Sequence, residues 1–410
     1  MWQNPLAFRW NFELSLEDTM ASMTRRAAIA KLVPGFALTV SSSRMAASWE
    51  PLSFLDDNID PTMQKDLRKL AESFCENFDV PGLSVAIHRH GKPLYEQAFG
   101  EADPRTREPL QTSHLFRIAS ISKPITSVSI LKLTQQDRLH LSDRVFGEGA
   151  LLGTEYGPPK DGRVQDITVE HLLTHTAGGW PNNDSDPMFR FRELNSKDLI
   201  SQTIQNVPLD SKPGTRWAYS NFGFCILGRV IEKVTNQKYS EYVQDQVLSP
   251  SGITDMRIGG NTPGERLPTE VTYYGQSGEN PYNCNVARMD SHGGWLASAR
   301  DLAIFAAHID GSDMPPALLQ ADTIATMVAP VGAYAFDPAS KVVYARGWYL
   351  RSTGTEWFHD GSLPGTTTSL VRASTGFCWS GLTNTRRQPS ARITAQLNST
   401  LREMVSLLGG

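Results

Sequence analysis

Apolar positions recur at helical spacing between Pro61 and Phe78, where Met63, Leu67, Leu70, Ala71, Phe74 and Phe78 share one face and the run stops before Pro81-Gly82. The period then shortens to two. Residues 83–87 and 94–99 flank His90-Gly91-Lys92 and predict a β-hairpin with His88 and His90 on its solvent face or turn. A helical pattern starts near Ser120, runs through Ile125, Val128, Ile130, Leu131 and Leu133, and stops near Asp137. From 125 to 335 helical segments alternate with loops rich in Gly, Pro, Asn and Asp; the clearest helices are 169–175, 222–234, 239–248 and 299–309. Strands return at 342–350, 356–360, 367–372 and 377–382, and 391–408 closes the chain as an amphipathic helix. Strands at both ends with helices between them predict an α+β fold: one sheet from 49–124 together with 336–410, and a mainly helical lobe over 125–335.

The chemistry concentrates where the 120–137 helix begins. A serine hydroxyl is too weakly acidic to attack a carbonyl unaided and needs a base within hydrogen-bond reach. Ser120-Ile121-Ser122-Lys123 supplies one, because three residues of helix turn through about 300° and bring Ser120 and Lys123 onto one face. Pro124 lacks an N–H and fits only a first helical turn, so Ser120 sits at the positive end of the helix, where its own N–H can face a developing oxyanion. Ser129-Ile130-Leu131-Lys132 repeats the spacing, but about 180° round and deep in the helix, so Ser129 reads as structural.

Two other stretches can complete such a site. Tyr219-Ser220-Asn221 lies between the turn at Pro213-Gly214 and the helix at Phe222. Its tyrosine can relay a proton to a leaving group, and its asparagine can hold the lysine and a substrate carbonyl; the same triplet also reads as a loop anchor and a helix cap. In His359-Asp360-Gly361-Ser362, late in a strand, the glycine lets a substrate backbone pair along the strand edge. The Ser362 N–H is a second oxyanion donor there, and His359 is an electrostatic or proton-sharing group. His292-Gly293-Gly294 precedes Trp295 and a helix, and offers no strand edge.

Composition narrows the partners. Net charge is -4 without a basic run, which argues against nucleic acid, and no apolar stretch reaches eighteen residues, so no membrane insertion is predicted. Thr24-Arg25-Arg26, the apolar run 27–40 and Ala46-Ala47-Ser48 predict a targeting segment over 1–48 and export to the periplasm or outside; the arginine pair resembles a twin-arginine signal, and Met20 or Met23 is an alternative start. A disordered basic tail is the competing reading. Cys75, Cys225, Cys284 and Cys378 show no C-x-x-C spacing; Cys225 and Cys378, in apolar runs, read as buried hydrophobes as readily as bridge partners. His171 and His175 share a helical face, but without the glutamate that the zinc-protease motif has directly after its first histidine, and without a third ligand, they make no metal site, and His175 reads as a structural residue that bonds a loop.

With Ser-x-x-Lys, Tyr-x-Asn and His-x-Gly in that order, the chain resembles the serine β-lactamase and penicillin-binding-protein superfamily over about 60–405. It looks most like the branch that holds class C β-lactamases, D-alanyl-D-alanine carboxypeptidases, D-aminopeptidases and β-lactamase-fold esterases. The phrases Leu172-Leu173-Thr174-His175-Thr176-Ala177-Gly178, Pro213-Gly214-Thr215 and Gly293-Gly294-Trp295 recur in the family's order. The resemblance implies a β-lactamase/transpeptidase-like sheet with an inserted all-α lobe. It also implies acylation of Ser120, acid/base work by Lys123 and Tyr219, substrate positioning by Asn221, and an oxyanion hole from the N–H groups of Ser120 and Ser362. No cofactor is required. The departure is at His359-Asp360-Gly361, where class C β-lactamases usually carry Lys-Thr-Gly, which attracts a substrate carboxylate. The expected substrate is therefore a small ester or a D-amino-acid amide or peptide. A penicillin-binding receptor or pseudoenzyme that acylates with little turnover, or a true β-lactamase, is the alternative.

Overall fold

Asp60 starts the first long helix by accepting the N–H groups of Thr62 and Met63 on its carboxylate, with Pro61 in the first turn, and the helix runs Pro61–Phe78. The computed structural model describes residues 54–56, 59–311, 315–332, 336–337, 342–351 and 354–410. The expected targeting segment, 1–48, lies outside them.

One antiparallel sheet joins the two ends of the chain. Its order is Phe54–Leu55, Lys92–Asp103, Gly82–Arg89, Phe377–Thr383, Thr366–Ala373, Glu356–Leu363, Tyr349–Arg351, Val342–Tyr344 and Phe336–Asp337. The seam between early and late sequence is the Gly82–Arg89 strand against Phe377–Thr383, in register from Leu83↔Thr383 to Arg89↔Phe377. Helices cover both faces. Pro61–Phe78 and the C-terminal Ser390–Leu407 bury Leu67, Phe74, Leu397 and Leu401 against Val85, Ile87, Val371 and Trp379. On the other face Ala299–Ala307 packs against the seam, and the Ser380 hydroxyl donates to the Ala299 carbonyl at 2.6 Å. The Ser122–Gln135 and Asn221–Thr235 helices pack together at the centre of the larger core. Among the described residues no helix is long and apolar enough to cross a membrane. All four cysteines are free.

The structure corrects three details. The expected strand 342–350 is two strands, Val342–Tyr344 and Tyr349–Arg351, folded back on each other. Gly347, at φ +81°, makes that turn and lies close against Ser127. His88 is not on a solvent face: its strand is covered on both sides, and its Nε2 lies 2.7 Å from Glu96 Oε1 with both side chains buried. The helix expected near Ser120 begins as a 3₁₀ turn over Ala119–Ile121, and the α-helix proper starts at Ser122.

Candidate active site

Ser120 is presented by a strained turn. Ala119, immediately before it, has φ +48°, a left-handed conformation that costs an alanine on the order of 1–3 kcal/mol and persists only when its surroundings enforce it. The sheet does so here. Thr366 Oγ1 donates to the Arg117 carbonyl at 2.9 Å and Thr368 Oγ1 to the Ile118 carbonyl at 3.1 Å. The Ile118 N–H donates to Trp295 O at 3.0 Å.

Gly361 allows the sheet to come that close. A Cβ at this position would lie 2.2 Å from the Ile118 carbonyl oxygen and 3.2 Å from Ala119 Cβ, so only glycine lets the Glu356–Leu363 strand pass the turn. The strand alternates, with His359 and Gly361 buried and Asp360 and Ser362 half-buried. Its outer edge pairs with Tyr349–Arg351 only at Trp357 and Phe358, so residues 359–363, which run past Ala119–Ser120, have no strand partner on that side among the described residues. The Ser362 hydroxyl is buried without a hydrogen-bond partner among them.

Lys123 is fully buried, and its Nζ lies 3.2 Å from Ser120 Oγ, 2.8 Å from Asn221 Oδ1 and 3.0 Å from the His292 carbonyl oxygen. Burial drives the amine well below its ordinary pKa, opposed by the nearby Asp186 carboxylate. A neutral amine has two N–H bonds and one lone pair. Asn221 Oδ1 and the His292 carbonyl can only accept, so they take both N–H bonds, and the lone pair is left facing the Ser120 hydroxyl. Tyr219, half-buried, also hydrogen-bonds Ser120. Its phenol is pushed well above the usual value by burial and by Tyr349, with the bond to Ser120 acting the other way, so it is a neutral proton donor.

Asn221 opens its helix, but the helix is capped by Ser220, whose hydroxyl accepts the Gly223 N–H at 3.1 Å. The Asn221 amide nitrogen donates to Asn182 Oδ1 at 3.0 Å and Asp186 Oδ2 at 2.9 Å, so its two N–H bonds are directed at protein and its oxygen at Lys123. His359 is also neutral: burial, reinforced by Lys123, pushes its pKa down to about 3. Its Nδ1–H donates to the Asp360 carbonyl at 2.8 Å, which leaves Nε2 to accept from the Tyr344 hydroxyl at 3.3 Å. The ring lies among Tyr219, Tyr344 and Tyr349, at centroid distances of 6.3, 5.9 and 5.1 Å. His175 holds the Tyr219 loop, accepting the Ser220 N–H on Nδ1 at 3.1 Å and the Ala218 N–H on its carbonyl at 2.8 Å. His171 Nδ1 accepts the Thr168 N–H in a helix cap.

Thus Lys123, Tyr219, Asn221, His359 and Gly361 are brought together around Ser120 and its turn. Ser129 is not: its hydroxyl is buried and donates to the Ile125 carbonyl at 2.9 Å. Sequence reasoning missed Asp186, the His292 carbonyl and Tyr344. A signal for Asp186 was present, since Asp186-Pro187 is a helix start, and the carboxylate does cap the Pro187–Arg190 turn through the Met188 N–H at 2.9 Å.

A family model described as Beta-lactamase matches residues 55–400. The chain is 27% identical over 338 residues to penicillin-binding protein 4* of Bacillus subtilis (strain 168), covering 75% of this chain and 69% of that protein. A match to Protein flp of Staphylococcus aureus (strain N315), 29% identical over 191 residues, covers 47% of this chain and 37% of that protein, so the chain spans well under half of its length. The solved structure of D-amino acid amidase from Ochrobactrum anthropi SV3 complexed with L-phenylalanine amide superposes with a TM-score of 0.69 at 21% identity, over 85% of this chain and 99% of that one. At that identity the likeness shows the fold.

Proposed function

Because the chain belongs to the beta-lactamase family, whose members are serine hydrolases, we propose that it cleaves a neutral ester or D-amino-acid amide through an acyl-enzyme on Ser120. The observation that carries this is the buried Lys123 amine, with both N–H bonds engaged and its lone pair 3.2 Å from Ser120 Oγ. Ser120 Oγ attacks the carbonyl carbon as its proton passes to Lys123 Nζ, and the carbonyl π pair becomes the oxyanion. The Ser120 N–H and the 359–362 strand edge, with Ser362 as the second donor, stabilise that charge. Collapse expels the leaving group, which takes the Tyr219 proton, and Tyr219 recovers one from the Lys123 ammonium. Water then attacks the acyl carbon by the reverse route and frees Ser120. His359, neutral where an anionic substrate would need a cation, favours uncharged substrates, and the amidase neighbour supports the amide branch. Export through the segment at 24–48 belongs to the same reading; the N-terminus of protein recovered outside the cytoplasm tests it.

The decisive experiment is intact-protein mass spectrometry after incubation with a fluorophosphonate and with penicillin, alongside turnover of p-nitrophenyl butyrate, D-phenylalanine amide and nitrocefin. We expect a fluorophosphonate adduct on Ser120, turnover of the ester or the amide, and little of nitrocefin. A lasting penicilloyl adduct without turnover favours a penicillin receptor, the reading to which the name of the Bacillus relative points. No adduct and no turnover sinks both.

A further inference from the structure

We infer that Asp186 is a positioning residue of this site: through the Asn221 amide it aims the Lys123 amine at Ser120 and supplies the counter-charge for the proton that amine receives. The inference rests on the acyl-enzyme reading above. Asp186 is wholly buried in the loop between Trp180 and the Pro187–Arg190 turn. Its Oδ1 accepts the Met188 N–H at 2.9 Å, and its Oδ2 accepts from Asn221 Nδ2 at 2.9 Å. The other end of that amide accepts from Lys123 Nζ at 2.8 Å. The carboxylate, the amide and the amine therefore form one chain that ends on the nucleophile. The same loop clamps the tyrosine, since the Asn182 N–H donates to the Tyr219 carbonyl at 2.7 Å.

Charge gives the chain its purpose. In the attack step the Ser120 O–H bond breaks and an Nζ–H bond forms, so a neutral amine becomes an ammonium inside the protein. A buried ammonium without an anion is strongly disfavoured. Among the described residues, the groups that face Lys123 offer no other anion. His175, His292 and His359 are all driven toward the neutral imidazole by burial and by Lys123 itself, and Tyr219 holds its phenolic proton. Arg288, whose Nη2 donates to the Met188 carbonyl at 2.6 Å, is a further cation that favours the ionised form of Asp186. Asp186 is pushed up to about 6, chiefly by burial, and so remains ionised at neutral pH, one amide away from the new ammonium.

The test is the pH profile of kcat/KM for p-nitrophenyl butyrate in Asp186→Asn. This variant removes the charge and keeps an oxygen for the Asn221 amide, at the cost of the bond from the Met188 N–H, so the moved midpoint and not the loss of rate alone is the readout. Without the anion the ammonium is less favoured, so the acid midpoint of the profile moves down by about one pH unit while the plateau falls by about tenfold. An unmoved acid midpoint, whether activity is kept or lost, would overturn the proposal and leave Asp186 a structural cap. If Asp186→Asn does not fold, Asn182→Asp carries the test. It places a carboxylate on the other acceptor of the same amide, at an exposed position, and should move the midpoint up; no movement there overturns the coupling. Wild-type protein that turns over no ester or amide would fault the proposed function instead.

Discussion

A methyl group added at Gly361 has no space to occupy. In Gly361→Ala the new Cβ would lie 2.2 Å from both the Ile118 carbonyl oxygen and Thr368 Oγ1, so strand and turn must part by at least about 0.8 Å to reach even the shortest tolerable contact, 3.0 Å. Thr368 Oγ1 is also the donor to that carbonyl, so parting stretches the 3.1 Å bond that holds the turn. Overpacking of this kind costs roughly 1–3 kcal/mol and the lost hydrogen bond about 1 kcal/mol, which a domain of ordinary stability survives. The effect on rate is larger. Ala119 lies between the displaced carbonyl and Ser120 and already sits in a strained conformation, so the shift passes to the proposed nucleophile. A misplacement of about 1 Å costs on the order of 10²-fold in rate. Urea denaturation should thus report a modest loss, while kcat/KM for p-nitrophenyl butyrate and the rate of fluorophosphonate labelling both fall by about two orders of magnitude. Gly162→Ala, where nothing lies within 4 Å of the added carbon, is the control. A Gly361→Ala protein that is destabilised yet labels at the wild-type rate would refute the claim that this close approach positions Ser120.

Ser120→Ala should abolish the fluorophosphonate adduct and Ser129→Ala should leave it intact; the reverse pattern would reassign the nucleophile. Lys123→Met should slow labelling by about 10²–10⁴-fold, the usual worth of a positioned base. The same substitution should change how stability depends on pH. Because burial holds the folded-state Lys123 pKa below its ordinary value, the folded protein binds fewer protons than the unfolded chain between the two, so wild-type stability rises with pH through that window and is lost as pH falls. The melting temperature of wild type should therefore gain on that of Lys123→Met from mildly acidic to alkaline pH, and a constant gap would contradict a neutral buried amine. His359→Gln should leave the acid midpoint of kcat/KM unmoved, since the ring stays neutral down to about 3; a shifted midpoint would make His359 a titrating participant.

The elements that sequence places well carry their own local signals. Asp60, Pro61 and the apolar spacing set Pro61–Phe78 without help from the rest of the chain. His88 misleads because alternation assumes that one face of a strand is wet, whereas Gly82–Arg89 is buried on both faces through His88. The turn inside 342–350 was signalled by Gly347 alone, and what requires that glycine is Ser127, more than two hundred residues earlier. Ser120 and Lys123 are legible because one turn of helix relates them. The His292 carbonyl is not, because every residue has a carbonyl and only the folded chain decides which one faces an amine.

The same contrast governs the charge of the site. Lys123, His175, His292 and His359 are side chains that can each carry a positive charge. Folded, all four are driven toward neutrality by one cause, burial, and each lone positive charge would further disfavour the next. The carboxylate left ionised near them is Asp186, which the letters mark only as a helix cap. A cleft with a neutral base and a buried carboxylate can receive a proton from serine and stabilise it, yet it offers little to draw in a carboxylate substrate. Restoring a cation with His359→Lys should therefore fail to create efficient nitrocefin hydrolysis, because the new amine would be neutralised by the same burial that lowers the Lys123 pKa. A His359→Lys protein that turns over nitrocefin efficiently would mean that the identity of this one side chain, and not the desolvation of the whole cleft, sets the preference for uncharged substrates.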